Sequence, residues 1–194
     1  MLRSRSGATG PLKAPKFEPL YLYGLKCPCR TERRLNLLRC PLYVMGWPLD
    51  LPDENRAAVR RWYEAALRDL KLMDIMMERG FYPESCFHSQ QAAEKAIKAF
   101  LRARGRVAWG HDIERLLRQA SEEGLHVADL LTDDGLAKVR LLSAQYLAPK
   151  YPDFRGRMGM RLEDYTEELA FSCAELARDI FRRVEVWLKE KGWI

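Results

Sequence analysis

At 194 residues the chain is long enough for one domain with a well-filled core and a short appendage, and too short for two ordinary domains. Its net charge of +6 looks like a nucleic-acid signal until it is divided by region: nine of the 33 Lys and Arg but only three of the 27 Asp and Glu lie in residues 1–50, which leaves 24 of each sign beyond them. No apolar run approaches the roughly 18 residues that span a bilayer, and Met1–Pro11 lacks the apolar core of a secretory signal, so a cytoplasmic protein with no membrane contact is expected.

Pro11, Pro15, Pro19, Pro28, Pro41 and Pro48 punctuate residues 1–50, too often for a long helix, and the stretch reads as an irregular, disordered basic leader. Met45 stands just before the regular part, so a translation start there is a second reading, and a basic arm for RNA a third. Five cysteines, with Cys86 and Cys173 on helical core faces, argue against a disulfide framework. Cys27, Cys29 and Cys40 would supply three zinc ligands, but no fourth Cys or His is near them, so neither a metal nor a cofactor is expected. Asn and Gln are scarce and Arg outnumbers Lys by more than two to one, a balance compatible with a thermophilic source.

Regular structure begins at Pro52, where Asp53 and Glu54 suit the positive end of a helix dipole. Val59, Trp62, Tyr63, Ala66, Leu67, Leu70, Met73 and Met77 recur at three and four, which predicts a first helix running to Gly80. Met73, Met76 and Met77 read as core filling rather than as ligands. A second helix follows Pro83 and ends at Arg104 before Gly105; the short link makes the two an antiparallel hairpin. Within it, Cys86–Leu101 dominates the pattern. Ala92, Ala96, Ala99 and Ala103 form a narrow stripe beside Cys86, Ala93, Ile97 and Phe100, so a neighbouring helix can approach closely. Glu94, Lys95, Lys98 and Arg102 gather on the other side, which is expected to face water.

The link Gly105–Gly110 leads to His111 and Asp112, which open a short helix carrying Ile113, Leu116, Leu117 and Ala120 and closed by Gly124. After a less regular segment, Thr132 is an N-cap candidate for a helix with Leu136, Val139, Leu142, Ser143 and Tyr146 on it, ending by Pro149. Residues 150–161, KYPDFRGRMGMR, read as a basic, glycine-rich loop. The last and longest helix runs from about Glu163 to Lys191, with Ala170, Cys173, Ala177, Ile180, Val184, Trp187 and Leu188 at helical spacing. No strand-like alternation occurs in residues 51–194, which predicts an all-α, up-and-down bundle of four long helices plus a short fifth.

Three runs, in order, carry a family likeness: QQAAEKAIKAFL (Gln90–Leu101), GHDIERLL (Gly110–Leu117) and YLAPKYPD (Tyr146–Asp153), followed by the long last helix. Over roughly residues 55–190 the chain resembles the HEPN (higher eukaryotes and prokaryotes nucleotide-binding) domain family. The resemblance implies a helical bundle, a homodimer, a minimal nucleotidyltransferase as protein partner in a toxin-antitoxin-like pair, and a nucleotide or RNA as ligand. It also implies, for several branches, metal-independent ribonuclease chemistry from an Arg, four to six residues, then a His, with each chain of a dimer giving such a pair to one cleft. The residue types suit that chemistry: an imidazole near neutral pKa moves the 2′-hydroxyl proton, and a guanidinium fork stabilises the phosphorane.

Six residues separate Arg104 from His111 and four separate Arg106 from it, so the resemblance makes Arg104, Arg106 and His111 the catalytic candidates. The other reading of this place is a helix start, with His111 and Asp112 capping it or an anion held on its free amides. Active branches tend to follow the Arg with a polar residue, where this chain has Gly105 and Val107. Close relatives usually have Arg where this chain has Lys150, which keeps the charge and loses the bidentate fork. Lys95, Lys98, Arg140, Tyr146, Lys150 and Asp153 are the nucleotide- or RNA-contact candidates, with Tyr151-Pro152-Asp153 alternatively a simple turn. His88 and His126 are expected at the surface. The competing function class is a non-catalytic bundle that binds a protein partner, and RNA cleavage in EDTA separates the two; a third reading is a bundle whose charged edge only aids solubility, which scattering of Arg104, Arg106, His111 and Lys150, rather than their convergence on one cleft, would favour.

Overall fold

The computed structural model describes residues 52–194; the leader, with Cys27, Cys29, Cys40 and Met45, lies outside the described residues. Among these residues the chain forms α1 (Pro52–Glu78), α2 (Tyr82–Ala103), α3 (Ile113–Glu122), α4 (Asp133–Ala144), α5 (Pro152–Arg157) and α6 (Glu167–Glu190), with 3-10 turns at Ala128–Leu131 and Leu162–Asp164 and no strand. None of these helices is long and apolar enough to cross a membrane.

Helix α2 is the axis around which the others pack. Ala92, Ala93, Ala96 and Ala99 are fully buried, and the absence of longer side chains there lets α1 and α6 close on it. Ile97, Phe100 and Leu101 fill the space between, each burial contributing about 1.5–3 kcal/mol, and Phe100 meets the edge of Trp187 with ring centroids 4.7 Å apart. Helices α1 and α2 are antiparallel: Asn55 Nδ2 donates to the Arg102 carbonyl, and Ser85 Oγ to that of Met73. Helix α6 is antiparallel to α1 as well, since Arg56 donates to the Gly192 carbonyl, Tyr63 to Glu185 at 2.6 Å, and Arg178 to Asp74. Burial and the adjacent Glu185 together push the Tyr63 hydroxyl up to about 12. Cys86 and Cys173 are buried free thiols, and their mutual contact together with burial pushes Cys86 upward.

Local signals account for the helix starts. Asp112 caps α3 by accepting from the amides of Glu114 and Arg115, and Thr132 caps α4 through the Gly135 amide. Thr166 does the same for α6 by accepting from Leu169. The expected last helix, from Glu163, is therefore divided into a 3-10 turn and a helix that starts behind this cap. Helix α4 stops at Ala144, before Tyr146, and the chain continues in tight turns to Lys150. The stretch expected to be a loop contains α5, started by Pro152 at its first position, where a missing N–H costs nothing.

Candidate functional site

Helix α2 carries Gln90, Glu94 and Lys98 at four-residue intervals, hence on one stripe. All three are buried, Glu94 and Lys98 against the expectation that they face water: Glu94 is 3% exposed and Lys98 9%. An isolated carboxylate at that depth would be strongly unfavourable, and the sequence supplies its partners. Lys98 Nζ lies 2.8 Å from Glu94 Oε1, Gln90 Nε2 donates to Oε2 at 3.0 Å, and the His111 Nδ1 sits 3.1 Å from both oxygens. Gln90 Nε2 also holds the His111 carbonyl at 3.0 Å, so both ends of that histidine are fixed to α2. Nδ1 faces a carboxylate and so is the ring nitrogen that donates in this contact, while Nε2 is the one not bonded to Glu94. The His111 side chain remains 47% exposed.

The second wall comes from the turns after α4. Gln145 is buried and accepts from the Tyr165 hydroxyl at 3.0 Å, and Arg155 Nη1 donates to the carbonyls of Ala148 and Pro149. These bonds hold the backbone on either side of Tyr146 and Lys150. Burial pushes the Tyr165 hydroxyl upward, so it stays a neutral donor. The Tyr146 ring stacks on His111 with centroids 3.8 Å apart and planes 10° from parallel. The Lys150 ammonium lies over two rings, 4.1 Å from the Phe87 centroid and 4.6 Å from that of Tyr146. Beside His111 is a cleft of about 170 Å³ lined by Asp112, Ser143, Tyr146, Leu147 and Phe154 among others. Ser143 Oγ ties its floor together, donating to Asp112 and accepting from the Ile113 amide.

The structure joins His111 to Tyr146 by stacking and to Lys98 through Glu94, and sets Lys150 on the Tyr146 ring; Arg104 and Arg106 do not join them, so the expected convergence of Arg104, Arg106, His111 and Lys150 on one cleft is not met. Lys98 turns inward to Glu94, and its ammonium also lies 5.4 Å from the Trp62 ring centroid. Lys95 is paired with Asp69, which also bonds His88 Nδ1 at 2.9 Å. Burial pulls the Asp69 carboxyl up, the His88 and Lys95 hydrogen bonds outweigh that pull, and the net shift is downward. His88 is thus a partly buried structural residue, its side chain 19% exposed, rather than the surface histidine expected from its place on the wheel. His126 is exposed. Arg104 and Arg106 share one carboxylate, Glu123, and neither lines the cleft beside His111. Ten residues of helix separate Glu94 from Arg104, about 15 Å along the axis, so the arginines lie at the far end of α2 from the Glu94–His111 contact. Arg140 pairs with Glu114, whose carboxyl is held down to about 2 by Arg140 and Arg118. Asp153 is exposed in the first turn of α5. Of the basic candidates, Lys150 has no carboxylate partner among the described residues.

Sequence reasoning missed Gln90, Phe87, Ser143 and Phe154, and placed Glu94 on a solvated face. The legible signal was the Gln90, Glu94, Lys98 spacing itself, since polar residues at four-residue intervals bond each other along a helix and satisfy a buried strip. Among the described residues no group of three or more His, Cys, Asp or Glu is arranged to hold a metal ion.

The family model for the HEPN domain matches residues 59–187. A protein of Methanocaldococcus jannaschii, MJ1304, named as a candidate toxin, is 31% identical over 141 residues, which is 71% of this chain and 92% of that protein. The crystal structure of TT1696 from Thermus thermophilus superimposes with a TM-score of 0.56 at 33% identity, covering 66% of this chain and 95% of that one. That of ST0689, an archaeal HEPN homologue, gives 0.52 at 32% identity, covering 67% and 97%.

Proposed function

The chain belongs to the HEPN domain family, and on that premise we propose that it is the toxin-type member of a toxin-antitoxin-like pair, acting on RNA at the His111 cleft. The observation that carries this reading is a half-exposed histidine fixed at Nδ1 by a buried carboxylate and stacked on Tyr146, whose ring also carries the Lys150 ammonium. A site of that kind suits a phosphodiester: an imidazole for the 2′-hydroxyl proton and a cation for the phosphate. In the reaction the 2′-oxygen bonds to phosphorus as its proton passes to the His111 imidazole, Lys150 offsets the charge on the phosphorane, and the P–O5′ bond breaks with the 5′-oxygen taking a proton from water, which gives a 2′,3′-cyclic phosphate and a 5′-hydroxyl. No metal takes part in this scheme. The cation is Lys150 rather than Arg104 or Arg106, because Lys150 lies on the Tyr146 ring that stacks on His111, whereas the arginines sit with Glu123 away from that contact.

The protein partner in this reading is a nucleotidyltransferase, the working form is a cytoplasmic homodimer, and the family relationship to a candidate toxin supports the pairing. The test is RNA cleavage in EDTA. Wild-type protein is expected to cut, with His111→Ala inactive and Lys150→Ala lowered mainly in kcat. Absence of cleavage, or cleavage unchanged in His111→Ala, would leave the competing class, a non-catalytic module that binds a protein partner.

A further inference from the structure

Trp109 is the most exposed of the large hydrophobic side chains among the described residues, at 76%, and it stands two residues before His111. Single exposed hydrophobics are ordinary on protein surfaces, but the backbone here is fixed on both sides of the indole. The Trp109 carbonyl accepts from Arg115 Nη2 at 2.6 Å. Gly110 follows at φ 88, a left-handed conformation that β-carbon-bearing residues avoid, and a Cβ there would also meet Arg115 Nη2 at 3.5 Å. His111 comes next with its carbonyl held by Gln90. The Cα of Trp109 is therefore within about 7 Å of that of His111, and its backbone is tied to the imidazole through hydrogen-bonded chain.

Basic side chains flank Trp109 along the chain, Arg104 and Arg106 before it and Arg115 after it. Among the described residues Arg104 and Arg106 share a single carboxylate, so one of their two charges is uncompensated, and their side chains are 44% and 68% exposed. Arg115 bonds the neutral Trp109 carbonyl and, among the described residues, no carboxylate. An exposed aromatic ring accompanied by guanidiniums is a combination with which proteins hold unpaired bases and their phosphates. A duplex keeps its bases stacked within, where this indole cannot reach them.

We propose that Trp109 is a stacking platform for an unpaired nucleobase, with Arg104, Arg106 and Arg115 contacting the adjoining phosphates, so that the ligand of the His111 cleft is single-stranded RNA. The proposal rests on the reading of that cleft as an RNA site. It also gives Arg104 and Arg106 a role, strand binding outside the reacting centre.

The experiment compares oligoadenylate, AMP and an oligoadenylate–oligouridylate duplex as ligands of wild-type protein, Trp109→Ala and Trp109→Phe, by fluorescence anisotropy for the labelled RNAs and calorimetry for AMP. Loss of one base–aromatic stack weakens oligoadenylate binding by about tenfold or more in Trp109→Ala; AMP affinity is unchanged and Trp109→Phe retains most of the wild-type value. Equal oligoadenylate affinity in wild type and Trp109→Ala overturns the stacking role while leaving the RNA site standing. A Trp109→Ala variant that changes sedimenting mass with RNA affinity intact makes the indole a protein contact and likewise overturns it. Wild-type protein that binds no RNA overturns both this proposal and the reading beneath it.

Discussion

Removing the Glu94 carboxylate tests whether the polar strip on α2 is a true buried network. Glu94 is 3% exposed and is shared by Lys98, His111 and Gln90, while the Lys98 side chain is itself only 10% exposed. In Glu94→Ala the Lys98 ammonium stays in a largely dry position with its carboxylate gone. Removing one partner of a buried pair costs about 3–5 kcal/mol, a large share of the roughly 5–15 kcal/mol that holds a domain of ordinary stability. Lys98→Met costs less, about 1–3 kcal/mol, because Glu94 keeps its bonds from His111 and Gln90. The double variant Glu94→Leu/Lys98→Met exchanges both charges for apolar groups of similar length, and such exchanges are often neutral or stabilising. Equilibrium urea unfolding followed by circular dichroism gives the order directly: wild type and the double variant close together, Lys98→Met lower, Glu94→Ala lowest. The reasoning fails if Glu94→Ala unfolds within about 0.5 kcal/mol of wild type, which is the range of surface substitutions, or if the double variant is as unstable as its two single changes added.

The Asp69 carboxyl is depressed in the folded state, so its contribution is present above the unfolded value near 3.9 and is lost as pH falls through the lower folded value. The stability gap between wild type and Asp69→Asn should therefore shrink as urea titrations are carried from pH 5 toward pH 2; a gap independent of pH would show that the His88 and Lys95 contacts do not hold the carboxylate. A Cβ on Gly135 would lie 2.7 Å from the Asp129 carbonyl and from Leu130 backbone atoms, so Gly135→Ala must shift the 3-10 turn against α4 and should cost about 1–3 kcal/mol. Gly156, inside α5 with nothing within 4 Å, is the control, and Gly156→Ala should be neutral or slightly stabilising by thermal melting.

Most of the helices, and the starts of α3 and α4, were legible because they depend on short-range chemistry. Thr132 and Asp112 cap where the sequence put them, and the alanine stripe of α2 is buried as its spacing demands. The site was legible in part, and the failures share one cause. Lys95, Lys98 and Arg140 looked available because a helical wheel shows a residue's own face but not which distant carboxylate will cover it. Asp69 lies 26 residues from Lys95, and Glu114 lies 26 from Arg140. Tertiary packing brought each of these acids to its base, and Lys98 found its own on the buried stripe. Lys150 was left over because Phe87 and Tyr146, rather than an acid, came to lie beside it. Helix α5 was hidden by the glycines of residues 150–161, although Pro152 at its first position is a standard start.

The central claim is that RNA meets the protein at His111. The chain has three histidines, and the described residues place each in a different setting: His88 partly buried on Asp69, His126 exposed, and His111 between Glu94 and Tyr146. Imidazole nitrogen-15 NMR of the full chain, titrated with oligoadenylate, resolves the three separately. The account predicts a shift of the His111 Nε2 resonance that saturates with RNA while His88 and His126 hold still; RNA that binds with the His111 resonance unmoved would contradict it.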